Sequence, residues 1–350
     1  VSRVLFILKR REDYNSTVHS HIGLSTGLFN SASFMQTMLV ESGIEAQLSV
    51  LADNNAIDRA VTEYKPTHVI VEALWVVPQK FTVLKKLHPD VTWIIRLHSE
   101  MPFMAGEGMA MDWLGDYSDI KNVLIACNAP RMLRETREYI KHRNQLTDQQ
   151  VAEKVIYLPN YYPINYKTKQ FDKNKDHVDI GCFGAIRPLK NHLMQALASI
   201  EFADSIGKKL RFHVNAGRIE MNGSPVINNL KGLFQQIAPR GHQLVNHQWT
   251  PREQFLELCG QMDIGLQVSF SETFNIVGCD LISQGVPLVG STEIPWASPI
   301  FCADATNSED ICAALERTYN WPRLNVWLNK YSLSRYVKRT ELVWTTYFKD

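Results

Sequence analysis

Two sets of short runs rich in β-branched and aliphatic residues, separated by stretches of helical pattern, constrain this chain more than any other feature of its sequence. Val4–Leu8, Ala46–Leu51, Thr67–Ala73, Thr92–Leu97, Val123–Cys127 and Val155–Leu158 form the first set. His177–Phe183, Leu210–Asn215, Gln243–Asn246, Asp263–Val268 and Pro287–Gly290 form the second. The runs are nearly continuous in apolar residues, as strands covered on both faces are, and their alternation with helices is the signal for βαβ units on a parallel sheet. Residues 161–177 break into Tyr, Pro, Asn, Lys and Asp, which reads as a linker. The expected architecture is therefore α/β, with two Rossmann-like domains in tandem at residues 1–170 and 176–335. A chain of 350 residues has room for both. The tail from about Trp321 is helical in pattern and longer than the second sheet needs, so residues 336–350 are expected to cross back to the first domain.

Composition removes several classes. Thirty-seven Lys and Arg against 36 Asp and Glu give a net charge of +1, which leaves nucleic acid only a local patch to bind. The six cysteines form no C-x-x-C pair and sit mostly in apolar strings, as reduced core thiols do; a cytoplasmic compartment, or host cytoplasm for a phage-encoded chain, is expected, and zinc is not. Val4–Leu8 followed by Lys9, Arg10 and Arg11 has the wrong polarity for a signal peptide. No apolar run approaches the ~20 residues that span a bilayer.

In open α/β sheets ligands bind at the carboxyl ends of the strands. The segment VSFSETFNIVGCDLISQGVPLVG, Val268–Gly290, reads as a strand end, a turn over Ser269–Thr273, a helix from about Phe274 to Ser283 and a new strand. On one helix Glu272 and Asp280 would share a face ~12 Å apart, about the reach from a sugar to a ribose across a diphosphate. Backbone N–H groups around Thr273, Phe274 and Asn275 would then hold phosphate between them. The competing reading leaves Glu272 to favour the helix dipole and Asp280 to solvent. The segment GCFGAIRPLKNH, Gly181–His192, places Arg187 and Lys190 after a glycine turn at Gly184. A guanidinium fork and an ammonium there suit a departing diphosphate, although such cations are also common as solvated side chains.

Gly184-x-x-Arg187-x-x-Lys190, then Ser269-x-x-Glu272 with an acid eight residues on at Asp280, then Gly285-Val286-Pro287 resemble glycosyltransferase family 4 and its relatives of GT-B fold. His98 at a strand end, Leu158-Pro159-Asn160, and Trp249-Thr250-Pro251-Arg252-Glu253 extend the resemblance over most of the chain. The resemblance implies two Rossmann-like domains facing across a cleft and a retaining transferase using a nucleotide-diphosphate sugar, UDP-glucose-like by expectation, as co-substrate. Arg187 and Lys190 would bind the diphosphate, Glu272 the sugar hydroxyls, Asp280 the ribose diol, and His98 would approach the donor sugar. Gly184, Trp249, Thr273, Phe274 and Asn275 complete the donor set. Two residues depart from the family, which usually has Glu at Asp280 and commonly Gly at Asn275. No Asp-x-Asp occurs, so a metal clamp is not expected and the cations must do that work.

The acceptor side is less marked. Tyr14–Val40 carries no Asp, Glu, Lys or Arg; its Gly23 and Gly27 are candidates for a second wall of the donor site or for a buried helix. Lys9, Arg10, Arg11 and Glu100 are acceptor candidates. Arg131, Arg134, Arg137, Lys141 and Arg143 recur at helical spacing, either as phosphate contacts or as a solvated face interleaved with Glu135 and Glu138. EALWVVPQKF and WIIRLHSEMPF resemble sugar transferases of tailed bacteriophages, some of whose relatives decorate hydroxymethylpyrimidines in DNA, a base that must be flipped out to react. The alternatives are a cell-surface polysaccharide or lipid-linked acceptor, a nucleotide-sugar binder that does not catalyse, or an epimerase of GT-B fold.

Overall fold

In the computed structural model, which describes residues 2–10 and 27–349, the apolar runs assemble into two six-stranded sheets whose paired strands are all parallel. The first contains β1 (Arg3–Lys9), β2 (Glu45–Leu51), β3 (His68–Glu72), β4 (Thr92–Leu97), β5 (Val123–Cys127) and β6 (Val155–Tyr157), in the order β2-β1-β3-β4-β5-β6. The second contains β7 (His177–Gly181), β8 (Lys209–Val214), β9 (Gln243–Asn246), β10 (Ile264–Gln267), β11 (Leu288–Ser291) and β12 (Cys302–Ala303), in the order β12-β11-β10-β7-β8-β9. The bounds read from sequence coincide with β4, β5 and β9. β12 was not anticipated, since two residues at a sheet edge carry no readable period.

The chain divides into two compact units. The first holds the N-terminal strand, the chain as far as Pro163 and the end from Val337; the second holds Ile164–Tyr336. Strand alternation explains the first core: Leu5, Ile7, Val69, Val71, Trp93 and Ile95 are buried in one cluster, while Val4, Phe6, Ile70 and Ile94 join another with Met35, Met38 and Leu39. In the second unit Val178, Ile180, Leu210, Phe212, Ile264 and Leu266 form the corresponding core.

The C-terminal helix Pro322–Lys349 belongs to both units, as its length led us to expect. Near its start Asn325 accepts from Leu288 N and donates to Leu288 O, each at 2.8 Å, which fastens it to β11. Near its end Trp344 lies 5.9 Å from the Phe6 ring and donates to Pro159 O at 2.8 Å. Among the described residues no helix is long and apolar enough to cross a membrane. All six cysteines are free thiols.

Strand order reverses between β1 and β3 in the first sheet and between β7 and β10 in the second. At such a reversal the connections leave on opposite faces, so a crevice opens at the carboxyl ends of the strands.

Candidate functional site

At the reversal in the second sheet, two loops are knitted together by backbone and amide bonds. Gly184, at φ 118°, gives its N–H to Asn215 Oδ1 at 2.8 Å, a backbone shape that a side chain would strain. Ile186 N then bonds Arg218 O, and Glu220 N bonds Ile186 O, both at 2.9 Å, so the loops after β7 and β8 run side by side. Arg187 leads into a single turn, Pro188–Lys190, which ends at Asn191 with φ 59°. Gln195 ties the turn to β10: its Nε2 donates to Lys190 O and its Oε1 accepts from Val268 N, each at 2.7 Å. Phe270 N adds a bond to Leu189 O at 2.9 Å.

This knitting brings three of the expected residues into one electrostatic group. Lys190 Nζ contacts the Glu272 carboxylate, and Arg187 lies 3.6 Å from Glu220 and close enough to influence Glu272. Burial alone would raise the Glu272 carboxyl, but Lys190, a Ser269 hydrogen bond and Arg187 outweigh it and hold the group below the ordinary carboxylate value. The same positive field acts on His192. Burial, Lys190 and Arg187 together push its imidazole down to about 3, and neither ring nitrogen has a hydrogen-bond partner among protein atoms.

The turn after β10 departs from expectation. The helix spans Ile276–Ser283 rather than starting at Phe274, because Asn275 takes φ 61° and caps it, accepting from Gly278 N at 2.7 Å. Glu272 therefore precedes the helix, and the shared helical face read from the spacing to Asp280 does not exist. The first-turn N–H groups belong to residues 276–278, with that of Gly278 held by the cap. Asn275 Nδ2 also donates to Gln267 Oε1 and Glu272 Oε1, both at 3.0 Å, so this side chain supports the acid. The left-handed backbone here is one that Gly adopts freely, and Asn is among the few side chains that tolerate it.

The other donor candidates sit nearby with different occupations. Asp280 is buried and accepts from Arg252 Nη2 at 2.7 Å, so it is not solvated. Phe274 is buried against Trp296 and Tyr336, and its carbonyl accepts from Trp296 Nε1 at 2.6 Å, which makes it core. Trp249 lies under the Arg218 guanidinium at 5.2 Å, and Thr273 is buried in the turn. Glu220, Arg218 and Gln267 were missed by sequence reasoning. Only Gln267, a polar end to an otherwise apolar strand, carried a signal.

In the first unit His98 follows β4 and contacts Glu72 at the end of β3. Glu72 and Arg96 are register partners with fully buried side chains, and Arg96 Nη1 reaches both Glu72 oxygens at 3.2 Å. Neither was singled out from sequence, although Glu72 closes an aliphatic run and Arg96 interrupts one just before Leu97. Glu100 is buried against Arg131. Arg137 donates twice to Val155 O, Lys141 pairs with Asp148 at 2.6 Å, and Arg143 pairs with Asp116 at 3.0 Å, so these cations of the helix Pro130–Asn144 are engaged internally rather than arrayed for phosphate. Lys9 ends β1 and Arg10 follows it, both exposed, and Gly27 is the exposed first residue of the helix Gly27–Glu41. Arg11 and Gly23 lie outside the described residues. Among the described residues no three His, Cys, Asp or Glu side chains are grouped to hold a metal.

The sequence matches no protein-family model, and no curated protein is similar to it. Solved structures are similar in fold. Sucrose-phosphate synthase from Thermosynechococcus elongatus superposes with a TM-score of 0.67 at 12% identity, covering 100% of this chain and 98% of that one. Anabaena HepE in complex with UDP and glucose gives 0.61 at 13% identity, covering 98% and 96%. A UDP-forming α,α-trehalose-phosphate synthase from Burkholderia xenovorans gives 0.63 at 12% identity, covering 91% and 82%. The chain thus has the GT-B fold expected from its sequence, and at such identities the likeness speaks for fold alone.

Proposed function

We propose that the chain is a retaining glycosyltransferase that takes a nucleotide-diphosphate sugar, a UDP-sugar by preference, as donor. The observation that carries the reading is the gathering of Arg187, Lys190 and Glu272 at the carboxyl ends of β7 and β10, where the strand order reverses. Arg187 and Lys190 would take the diphosphate oxygens and stabilise the charge that grows as the diphosphate departs; Glu272, held ionised by Lys190, would accept hydrogen bonds from sugar hydroxyls. The acceptor hydroxyl would enter on the face the diphosphate leaves, with neither a protein nucleophile nor a metal. His98 is assigned to the donor sugar and Asp280 to the ribose. The fold of the UDP-bound and UDP-forming neighbours supports the donor class.

For the acceptor we propose a hydroxymethylpyrimidine in phage DNA, with a cell-surface polysaccharide or lipid-linked sugar as the alternative. Lys9 and Arg10, exposed at the end of β1, are cations that favour DNA. The engagement of Asp280 by Arg252 favours a second reading, a nucleotide-sugar binder without transfer. Mass spectrometry of modified and unmodified DNA incubated with a panel of nucleotide sugars tests both. A sugar-sized mass gain on hydroxymethylated DNA is expected. Neither transfer nor donor hydrolysis, with any acceptor class, would leave only the binder.

A further inference from the structure

The C-terminal helix Pro322–Lys349 turns toward solvent a face that the two cores do not use. Trp327 and Tyr331 lie one turn apart on it and keep 62% and 54% of their surface, Leu324 is exposed a turn before them, and Trp321, just ahead of the helix, keeps 63%. Spacings of three and four residues set Leu324, Trp327 and Tyr331 along one ridge. The opposite side is pinned: Asn325 bonds Leu288, Asn329 Oδ1 accepts from Ser298 N at 2.9 Å, and Leu333 is fully buried, so the ridge cannot turn inward. Every other tryptophan of the chain is buried or half-buried. Indole left in water beside further apolar side chains marks a surface that has a partner.

The charge around the ridge says which kind. Residues 322–336 include Arg323, Lys330 and Arg335 and no Asp or Glu. The linker lies against this part of the helix, where Tyr166 Oη bonds Lys330 O and Ser334 Oγ, each at 2.9 Å; it adds the exposed Lys167, and residues 164–171 are likewise free of acids. Among the described residues none of these four cations is paired with a carboxylate. Lys330 donates to Lys167 O at 3.0 Å, and Arg335 lies 5.7 Å over the Tyr331 ring. A second copy of the chain would therefore bring like charges together. A nucleic-acid base stacks on an open ring face, whereas Tyr331 is stacked on Trp327 one turn before it, at 6.2 Å and 14°, and covered by Arg335 one turn after it. We propose that this face docks the protein on the surface of an anionic lipid bilayer. Trp321, Leu324, Trp327 and Tyr331 enter the headgroup layer, where aromatic rings keep a polar tip in water, and Lys167, Arg323 and Arg335 meet lipid phosphates. A few apolar side chains alone hold a membrane marginally, and the flanking cations supply the second signal that stable docking needs.

The inference is independent of the donor reading, because none of these residues belongs to the group around Arg187, Lys190 and Glu272. Co-sedimentation of the full chain with vesicles tests it with no sugar donor present. Vesicles of equal parts phosphatidylcholine and phosphatidylglycerol should carry the protein down at low salt and release it as salt rises, and phosphatidylcholine alone should bind it about 10-fold or more weakly. Trp327→Ala combined with Tyr331→Ala should weaken binding by about 10- to 100-fold. Arg323→Gln combined with Arg335→Gln should weaken it by about 5-fold for each charge removed. All four side chains are exposed, so thermal melts of both variants should be little changed. Failure of the unaltered chain to bind the anionic vesicles, or binding that both variants retain in full, overturns the proposal. A dimer seen by light scattering and dissolved by the aromatic variant also overturns it and gives the face to a second copy. DNA retention lost in the same variants, with no vesicle binding, overturns it in favour of nucleic acid.

Discussion

The strand-end rims of the two sheets hold similar charges in opposite ways. At the first rim Arg96 and Glu72 have no exposed side-chain surface, and the guanidinium is ringed by carbonyls, an amide and an indole. At the second, Arg187 and Glu220 keep 23% and 22% of their side-chain surface and stand 3.6 Å apart. A buried pair with satisfied hydrogen bonds has one arrangement, because releasing either partner strands a charge. A partly exposed pair outside hydrogen-bond distance, such as Arg187 and Glu220, exchanges partners at less cost, although Glu220 also contacts Arg218. The first rim therefore holds its charges in one arrangement; under the proposed function the second would trade a protein carboxylate for an incoming anion.

Replacing one member of each pair should break this contrast open. Arg96→Met leaves Glu72 buried without its cation and should cost about 3–5 kcal/mol, whereas Glu220→Gln should cost less than about 1 kcal/mol. Denaturant unfolding of both variants measures the difference, and similar losses would mean the rims are alike. Next in size, Asn275→Ala loses a helix cap and forces a left-handed alanine, about 1–2 kcal/mol together, while Asn275→Gly keeps the backbone shape and should lose less. Equal losses in thermal melts of the two would remove the left-handed backbone from the account.

The smallest effect sharpens the view of the positive field at the second rim. His192 titrates at about 3 in the folded chain against about 6.5 when unfolded. A depressed histidine contributes stability that is complete above about pH 6.5 and is lost as pH falls through the interval toward 3, because the unfolded chain takes up the proton first. Its share is about 1.4 kcal/mol per pH unit inside that window. Unfolding measured between pH 6 and pH 5 should be less pH-dependent in His192→Leu than in the unaltered chain.

Much of the fold was legible because strands covered on both faces need continuous apolar runs, and Thr92–Leu97 and Val123–Cys127 have bounds that a sequence can show. Arg187, Lys190 and Glu272 were legible as residue types after strand ends. Their assembly was not, since Gln195, Asn215 and Asn191 do the joining from positions that look like ordinary helix and loop residues. The helix start moved because Asn275 adopts a backbone that its neighbours in sequence do not announce. Glu72 and Arg96 were invisible for a different reason: a charge at or next to the end of an aliphatic strand reads as the strand's wet end, and only the register between β3 and β4 makes them partners.

The account depends most on Arg187 and Lys190 acting on a nucleotide's diphosphate, and calorimetric titration of UDP into the unaltered chain, Arg187→Ala and Lys190→Ala tests it most directly. The prediction is binding by the unaltered chain that weakens by about 10- to 100-fold in each variant, the worth of one charge-assisted hydrogen bond, with unfolding temperatures little changed. Equal affinity in all three proteins, or no binding of UDP or another nucleoside diphosphate by the unaltered chain, would contradict it.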